Sequence, residues 1–445
     1  MAKVKKLFSP LYLIDSLVIL LNATYGMSML KVWLLDPLHL PHYWAISIFT
    51  FSIYLFRFRG KRLFLSLRHP LPAFLLIIYF FDILQAVIYC GSDIAFIRAL
   101  YVFDVFIFLE YMLSIFQERK KGVSDYYSFL PFELYSIYNV IVVILCAVMI
   151  LAGVLNAYSN PMPINSLIYA NVETLNHSYY FPGHLSLSIS LERSLVDLGI
   201  PVLTGLSHEP HVLFLILGPA FFLLERRLYG KGFLTYVSYL LLLILIVLST
   251  STTAVIVFAI VFVMSQIRKL FSKKGNRIYN IVFMVIIIAT VFFFISQSNF
   301  VFIAMQEQIA DKISGVETGS RDYSLATLEY MYSPQNLLGM GNFPQTGFGF
   351  KLSHADIGYI TCFLDVFFYI LFAFHALKNY LSADINRQYI GLACIYFLLH
   401  SLKLGAQIFS FPYIAFAVMM IVVADNINKK VEVNTHIKRY INSII

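Results

Sequence analysis

Runs of about 20 mostly apolar residues recur along this chain, separated by short polar segments. A helix of that length crosses a hydrocarbon core of about 30 Å. The pattern therefore predicts an all-α fold, a polytopic transmembrane helical bundle that forms one integral-membrane domain over residues 1–445. About twelve spanning helices are expected, at 10–30, 41–57, 70–90, 94–116, 134–156, 211–225, 233–249, 251–268, 278–298, 356–378, 387–405 and 409–425.

Composition strengthens this interpretation. Hydrophobic residues make up 60% of the chain and charged residues 13%, whereas soluble domains carry about 25% charged residues. The first apolar run lacks a small-residue cleavage site and is expected to remain as a membrane helix. The four cysteines are scattered and indicate neither disulfides nor zinc. No nucleotide-binding glycine pattern occurs, the inner loops are too short for a cytoplasmic catalytic domain, and no nucleic-acid partner is expected.

The loop charges predict the orientation. With the N-terminus inside, most of the 32 Lys and Arg residues fall on inner loops or on the tail 426–445. The outer loops are nearly free of them, as the positive-inside rule requires. Both termini are therefore expected in the cytoplasm, in contact with the inner side of the lipid bilayer.

Two outer loops are long, 157–208 and 299–355. Loops longer than about 15 residues usually carry function or are disordered, and neither loop has a disordered composition. We expect short surface helices in both, at 185–202 in the first loop and at 322–332 in the second.

Seven cations remain on the outer side or in the outer halves of helices, and each needs a reason to be there. Arg193 lies in LERSLVDLG and Arg321 in GSRD, one in each large loop. An arginine fork suits phosphate oxygens, and a helix start adds N–H donors. The alternative is a local ion pair, with Glu192 or Asp197 for Arg193 and with Asp322 or Glu317 for Arg321. The remaining five are Lys31, Arg98, Lys312, Lys351 and Lys403.

Candidate bases lie close to the predicted helix starts. His354 and Asp356 stand in SHADIGY, and a histidine can accept a hydroxyl proton near neutral pH. Both can equally be interfacial or helix-start residues. Glu209 stands in GLSHEPH, where Pro210 disfavours a regular helical pairing of the flanking histidines. We therefore expect no metal site there.

Five acids fall inside apolar segments, Asp15, Asp82, Asp104, Glu110 and Asp365. Buried charges in a membrane are costly and are usually paired or functional. Asp82 or Asp104 can pair with Arg98 and fix two successive helices. The competing hypothesis makes these acids the ion or proton sites of a transporter.

Four motifs then follow in order: GLSHEP before the sixth helix, LSTSTTA after the seventh, GSRD…LLGMG in the second large loop and SHADIGY at the tenth. This ordered set resembles the bacterial O-antigen polymerase and O-antigen ligase superfamily, over about residues 185–371. The resemblance implies a GT-C-like membrane glycosyltransferase without metal or cofactor. Its donor would be an undecaprenyl-pyrophosphate-linked oligosaccharide on the periplasmic face of the inner membrane.

The same resemblance assigns residue roles. Arg193 and Arg321 would bind the pyrophosphate, and to these we add Arg98 and Lys351 as candidate pyrophosphate-binding cations. His354 matches the proposed base of ligases, SHADIGY with Asp356 is closer to the polymerase pattern, and Glu209 is a further candidate. We expect a surface-polysaccharide polymerase that works with a chain-length regulator and a flippase. A ligase acting on lipid A-core is the first alternative, and a polysaccharide flippase or transporter the second.

Overall fold

The computed structural model describes the chain in separate stretches: residues 10–24, 42–59, 64–120, 162–163, 178–180, 188–190, 202–205, 214–215, 217–223, 252–271, 285, 337, 358–402, 409 and 413–427. The eight helices with defined bounds are α1 (Pro10–Thr24), α2 (His42–Phe58), α3 (Pro70–Gln85), α4 (Ser92–Lys120), α5 (Thr252–Phe271), α6 (Tyr359–Tyr380), α7 (Ile385–Ser401) and α8 (Tyr413–Ile427). A 3-10 turn, Ser66–Arg68, precedes α3, and a π-helical turn, Ala86–Cys90, follows it.

Membrane character is evident in three of these helices. The apolar stretches Pro70–Ile88, Ser92–Gln117 and Tyr359–Tyr380 are long and apolar enough to cross a bilayer. Shorter apolar helices occur at Ala45–Phe58, Ile256–Arg268 and Tyr413–Asn426. The expected spans at 134–156, 233–249 and 278–298 lie almost wholly outside the described residues, so the number twelve stays a prediction.

One face of α6 shows how such a helix meets its surroundings. Large apolar side chains recur along it at helical spacing and stay exposed, with Phe363 71%, Ile370 61% and Phe374 62% exposed. The opposite face buries Phe368 and Phe372 in the core. An exposed apolar stripe of this kind is suited to contact with lipid tails rather than with water.

Helix α8 forms the centre of the described bundle. It contacts α1, α3, α4, α6 and α7, and its side chains from Tyr413 to Ala424 are buried on every side. A helix that is apolar all round belongs in a core. Close packing also requires Gly391 on α7, because a Cβ there would lie 2.4 Å from the backbone nitrogen of Tyr380.

The two ends of the bundle differ in charge. Arg57, Arg268, Lys378 and Arg387 fall at one end, here called the basic end. At the opposite end α3 turns into α4 and α6 begins. Which end faces the cytoplasm stays a prediction from the loop charges.

Four short strands in the first large loop pair as a small antiparallel sheet, and one of them lies inside the helix expected at 185–202, most of which is outside the described residues. Its strands are β1 (Met162–Pro163), β2 (Ser178–Tyr180), β3 (Ser188–Ser190) and β4 (Val202–Gly205), in the order β1-β2-β3-β4. Ile189 pairs with Leu203, and Ser178 pairs with Ser190. The helix prediction was wrong at β3 because LSLSIS alternates with a period of two, which favours a strand.

Candidate functional site

The residues expected to form the site fall mainly in undescribed parts of the chain. Of the seven residues proposed for catalysis or pyrophosphate binding, Arg98 alone lies among the described residues. The remaining six are outside them, and their roles stay predictions: Arg193, Glu209, Arg321, Lys351, His354 and Asp356.

Arg98 lies two turns into α4, at the end of the bundle opposite the basic end. Its side chain is 1% exposed, and Nη1 donates to the main-chain carbonyl of Asp82 at 3.0 Å. That carbonyl belongs to the last turn of α3, where a cation satisfies acceptors and complements the helix dipole. Arg98 thus connects two successive helices through the main chain of Asp82, and the expected pairing with the carboxyl of Asp82 or Asp104 stays a prediction.

The turn between these helices has an unusual backbone. The π-helical turn Ala86–Cys90 follows α3 directly, and Gly91 adopts φ 91°, a conformation that favours glycine. Here the turn and Arg98 together define a hairpin end, called the Arg98 rim, made of residues 82–98.

Helix α6 is attached to this rim. Thr361 Oγ1 donates to Gln85 Oε1 at 3.1 Å, and both side chains are buried. Gln85 lies one turn from Asp82 on α3, so the Arg98 and Thr361 contacts stand next to each other. The rim therefore positions the first turn of α6, immediately after the SHADIGY motif.

Two tyrosines that flank the rim, on α3 and α4, connect these helices to the segment before α8. The hydroxyls of Tyr79 and Tyr101 both donate to the carbonyl of Phe409, at 2.8 and 3.2 Å. The ring of Phe409 packs edge-on against Phe368 and Tyr369 of α6. Four chain segments, α3, α4, α6 and the one before α8, are thus held together by buried polar and aromatic contacts.

A hydrogen bond brings the second large loop to the same place. Ile360 N donates to the carbonyl of Leu337 at 3.2 Å. Leu337 is the first residue of LLGMG, and Ile360 stands next to SHADIGY, which ends at Tyr359. Leu337 of the second large loop therefore contacts the first turn of α6, one residue from Thr361, while the rest of LLGMG and SHADIGY up to residue 357 lies outside the described residues.

The chemistry available in this region rests on polar groups of the chain itself. Within the described residues no group of three or more His, Cys, Asp or Glu side chains could hold a metal ion. Asp365, on α6 one turn below Thr361, is 5% exposed. The printed hydrogen bond of Arg98 lies within the hairpin, so its part in the described structure is to connect α3 with α4.

A second polar cluster, at the basic end, was missed in the sequence. Asp425 Oδ2 lies 2.5 Å from His375 Nδ1, and Asp425 Oδ1 accepts from Asn379 Nδ2 at 3.0 Å. Arg387 Nε donates to Asn379 Oδ1 at 2.8 Å. His375 and Asn379 are one turn apart on α6, a spacing visible in the sequence, but their partners on α7 and α8 are not. The cluster joins the ends of three helices.

Comparisons of the chain with protein-family models, with curated proteins and with solved structures give no match.

Proposed function

We propose that this chain is a surface-polysaccharide polymerase of the O-antigen polymerase type, located in the bacterial inner membrane. It would join undecaprenyl-pyrophosphate-linked oligosaccharide repeat units on the periplasmic face. The observation that carries the proposal is the hydrogen bond between Leu337 and Ile360. It supports a shared site for two motifs of the resemblance, LLGMG and SHADIGY, at the end of the bundle opposite the basic end.

The proposed mechanism assigns the leaving group to arginines of the two large loops. Arg193 and Arg321 bind the pyrophosphate and stabilise the charge that develops on it, which is usually the largest contribution to catalysis of this kind. Lys351 adds positive charge, and Arg98 keeps the rim fixed. Because the carrier lipid supplies the activated bond, no nucleotide sugar, metal or cofactor takes part.

The acceptor hydroxyl must lose a proton as the new glycosidic bond forms. His354 or Asp356 takes it, since SHADIGY leads directly into α6, whose first turn lies on the Arg98 rim. Glu209 is the third candidate base. The anomeric carbon of the growing chain is transferred to the hydroxyl, and the carrier pyrophosphate leaves.

The deciding experiment is glycan elongation by purified protein with undecaprenyl-pyrophosphate-linked repeat units, without an ion gradient. The wild type should lengthen the glycan, and Arg321→Ala should lower the rate by roughly 100-fold or more. Lys312→Ala is the matched control, because it removes a cation from the same loop. Full elongation by Arg321→Ala would overturn the assignment of the pyrophosphate site.

A ligase acting on lipid A-core remains the first alternative, since it shares the same motifs. Deleting a polymerase leaves single repeat units attached to the core, whereas deleting a ligase leaves none attached. A flippase or other transporter is favoured by the buried acids Asp82, Asp104 and Asp365. Transport that requires an ion gradient, with no elongation of the glycan, would identify it.

A further inference from the structure

A layer of buried oxygen atoms crosses α1, α2 and α4. Its members are Asn22, Thr50 and Asp104, each 0% exposed, together with Ser47, 5% exposed. Side chains of these types supply carboxylate, amide and hydroxyl oxygens, the ligands that hard cations prefer. The site proposed for glycan transfer does not include any of them.

The three helices are in register at this layer. Tyr111 OH donates to Asp15 Oδ1 at 2.8 Å, and Arg57 pairs with the same oxygen. On α1, Asn22 follows Asp15 by seven residues. On α2, Thr50 precedes Arg57 by seven residues, and on α4, Asp104 precedes Tyr111 by seven residues. Seven residues correspond to about two helical turns, or roughly 10.5 Å, in the same direction along the bundle. The second set therefore lies at one common level.

Direct contacts connect the members of the layer. Asn22 Nδ2 donates to Thr50 Oγ1 at 2.9 Å, between α1 and α2. Thr50 and Ser47 are one turn apart on the same face of α2, and the Ser47 side chain interacts with the carboxyl of Asp104. The rings of Phe51 and Phe103 meet at 5.7 Å beside them.

Oxygen atoms in this layer are left with unused acceptor capacity. Within the part of the chain that the structure describes, neither carboxylate oxygen of Asp104 makes a regular hydrogen bond, so its interaction with Ser47 is a loose one. Asn22 Oδ1 likewise has no hydrogen-bond partner among the described residues. Buried acceptors in this state are rare, and each calls for an explanation.

Charge selects the class of ligand. Asp104 is the one acid of the layer, and its other oxygen donors are neutral. A monovalent cation brings the net charge of the layer to zero, which a low-dielectric interior favours, whereas a divalent cation leaves a buried positive charge. We propose that Asn22, Thr50, Asp104 and Ser47 form a binding site for a sodium ion, held mainly by the carboxylate of Asp104.

The test is saturable binding of radioactive sodium to the purified full-length protein in lipid nanodiscs, at about pH 8.5 so that a carboxyl can ionise. Wild type should bind about one ion per chain, and sodium chloride should raise the unfolding temperature more than choline chloride does. Asp104→Asn should weaken binding by at least about tenfold.

Matched variants separate the site from general damage. Asp93→Asn makes the same chemical change at an exposed position on α4 and should bind sodium like the wild type. Thr50→Val keeps the shape but removes a ligand, and it decides the question should Asp104→Asn fail to give a monodisperse protein.

Three results would overturn the sodium site. The first is that the wild type shows no saturable sodium binding. The second is that Asp104→Asn, or its substitute Thr50→Val, binds sodium as well as the wild type. The third is that unlabelled calcium displaces the radioactive sodium at a lower concentration than unlabelled sodium does. The first result would also indicate that Asp104 is held as a neutral acid. None of the three bears on glycan elongation, so the proposed polymerase stands or falls separately.

Discussion

Two polar layers in α1, α2 and α4 each contain one buried aspartate but differ in charge balance. In the layer nearer the basic end, Asp15 is paired with Arg57 and accepts from Tyr111. Two turns away, Asp104 is equally buried and lies among neutral groups. Among the described residues, the first layer is therefore internally neutral, whereas the second contains a carboxyl without a cationic partner.

The difference shows what each layer contributes. A buried ion pair with a complete set of partners fixes how helices dock, although it adds little net stability over an apolar replacement. An uncompensated carboxyl contributes no such stability and is retained for another reason, usually function. Substitutions in the two layers should consequently have opposite signs.

The largest effect is expected for Arg57→Met in the neutral layer. It leaves Asp15 buried without its cation, which should lower the free energy of unfolding by about 3–5 kcal/mol. Chemical unfolding in micelles measures this. Arg68→Gln, which removes an exposed arginine of the adjoining segment, is the control and should change the stability little. Equal losses for the two variants would show that Asp15 does not depend on Arg57.

In the second layer, Asp104→Leu should act in the opposite direction. Without sodium it removes an unsatisfied buried acceptor, so the free energy of unfolding should rise by roughly 1–3 kcal/mol. Saturating sodium should reduce or reverse that advantage, because it stabilises the wild type alone. A large loss of stability in sodium-free buffer would mean that the Asp104 carboxyl is compensated by another group of the chain.

Glu110, the third buried carboxyl considered and the second on α4, tests whether backbone donors can replace a cation. Glu110 is fully buried and accepts from the backbone nitrogens of Leu65 and Ser66, at 2.8 and 2.7 Å, and from Ser66 Oγ. In Glu110→Gln the new side-chain NH₂ group faces N–H and O–H groups that are themselves donors. The free energy of unfolding should therefore fall by about 1–3 kcal/mol. Asp93→Asn on the same helix should change little. An unaffected Glu110→Gln variant would show that the turn before α3 does not need a carboxylate.

These layers show what the sequence could reveal and what it could not. Spacing of apolar residues predicted the helices well, as α6 at Tyr359–Tyr380 against an expected 356–378 illustrates. The same reasoning recognised Asp15, Asp104 and Glu110 as costly acids. It did not pair Asp15 with Arg57, because a partner on another helix depends on helix rotation and docking, which hydropathy does not specify.

The candidate site divides in the same way. Sequence reasoning expected the carboxyl of Asp82 or Asp104 to pair with Arg98, and the structure shows Arg98 bonded to the main-chain carbonyl of Asp82. It did not foresee the hydrogen bond from Thr361 to Gln85 or that from Asn379 to Asp425, which join segments far apart in the chain. The apolar spacing over 185–202 predicts a helix, but LSLSIS within it alternates with a period of two. Strand β3 follows that alternation.

The smallest expected effect, Tyr111→Phe, measures how far the neutral layer depends on its pair of charges. The substitution keeps the ring in contact with Phe58 and removes one hydrogen bond to Asp15, so it should cost about 1 kcal/mol. In an Asp15→Leu background that cost should largely disappear, because the hydroxyl then has no carboxylate to lose. If Tyr111→Phe is as damaging as Arg57→Met, the hydroxyl rather than the guanidinium compensates Asp15. The neutral layer would then be maintained by hydrogen bonding. Asp15 and Asp104 would differ in the number of hydrogen-bond donors around the carboxyl instead of in the charge beside it.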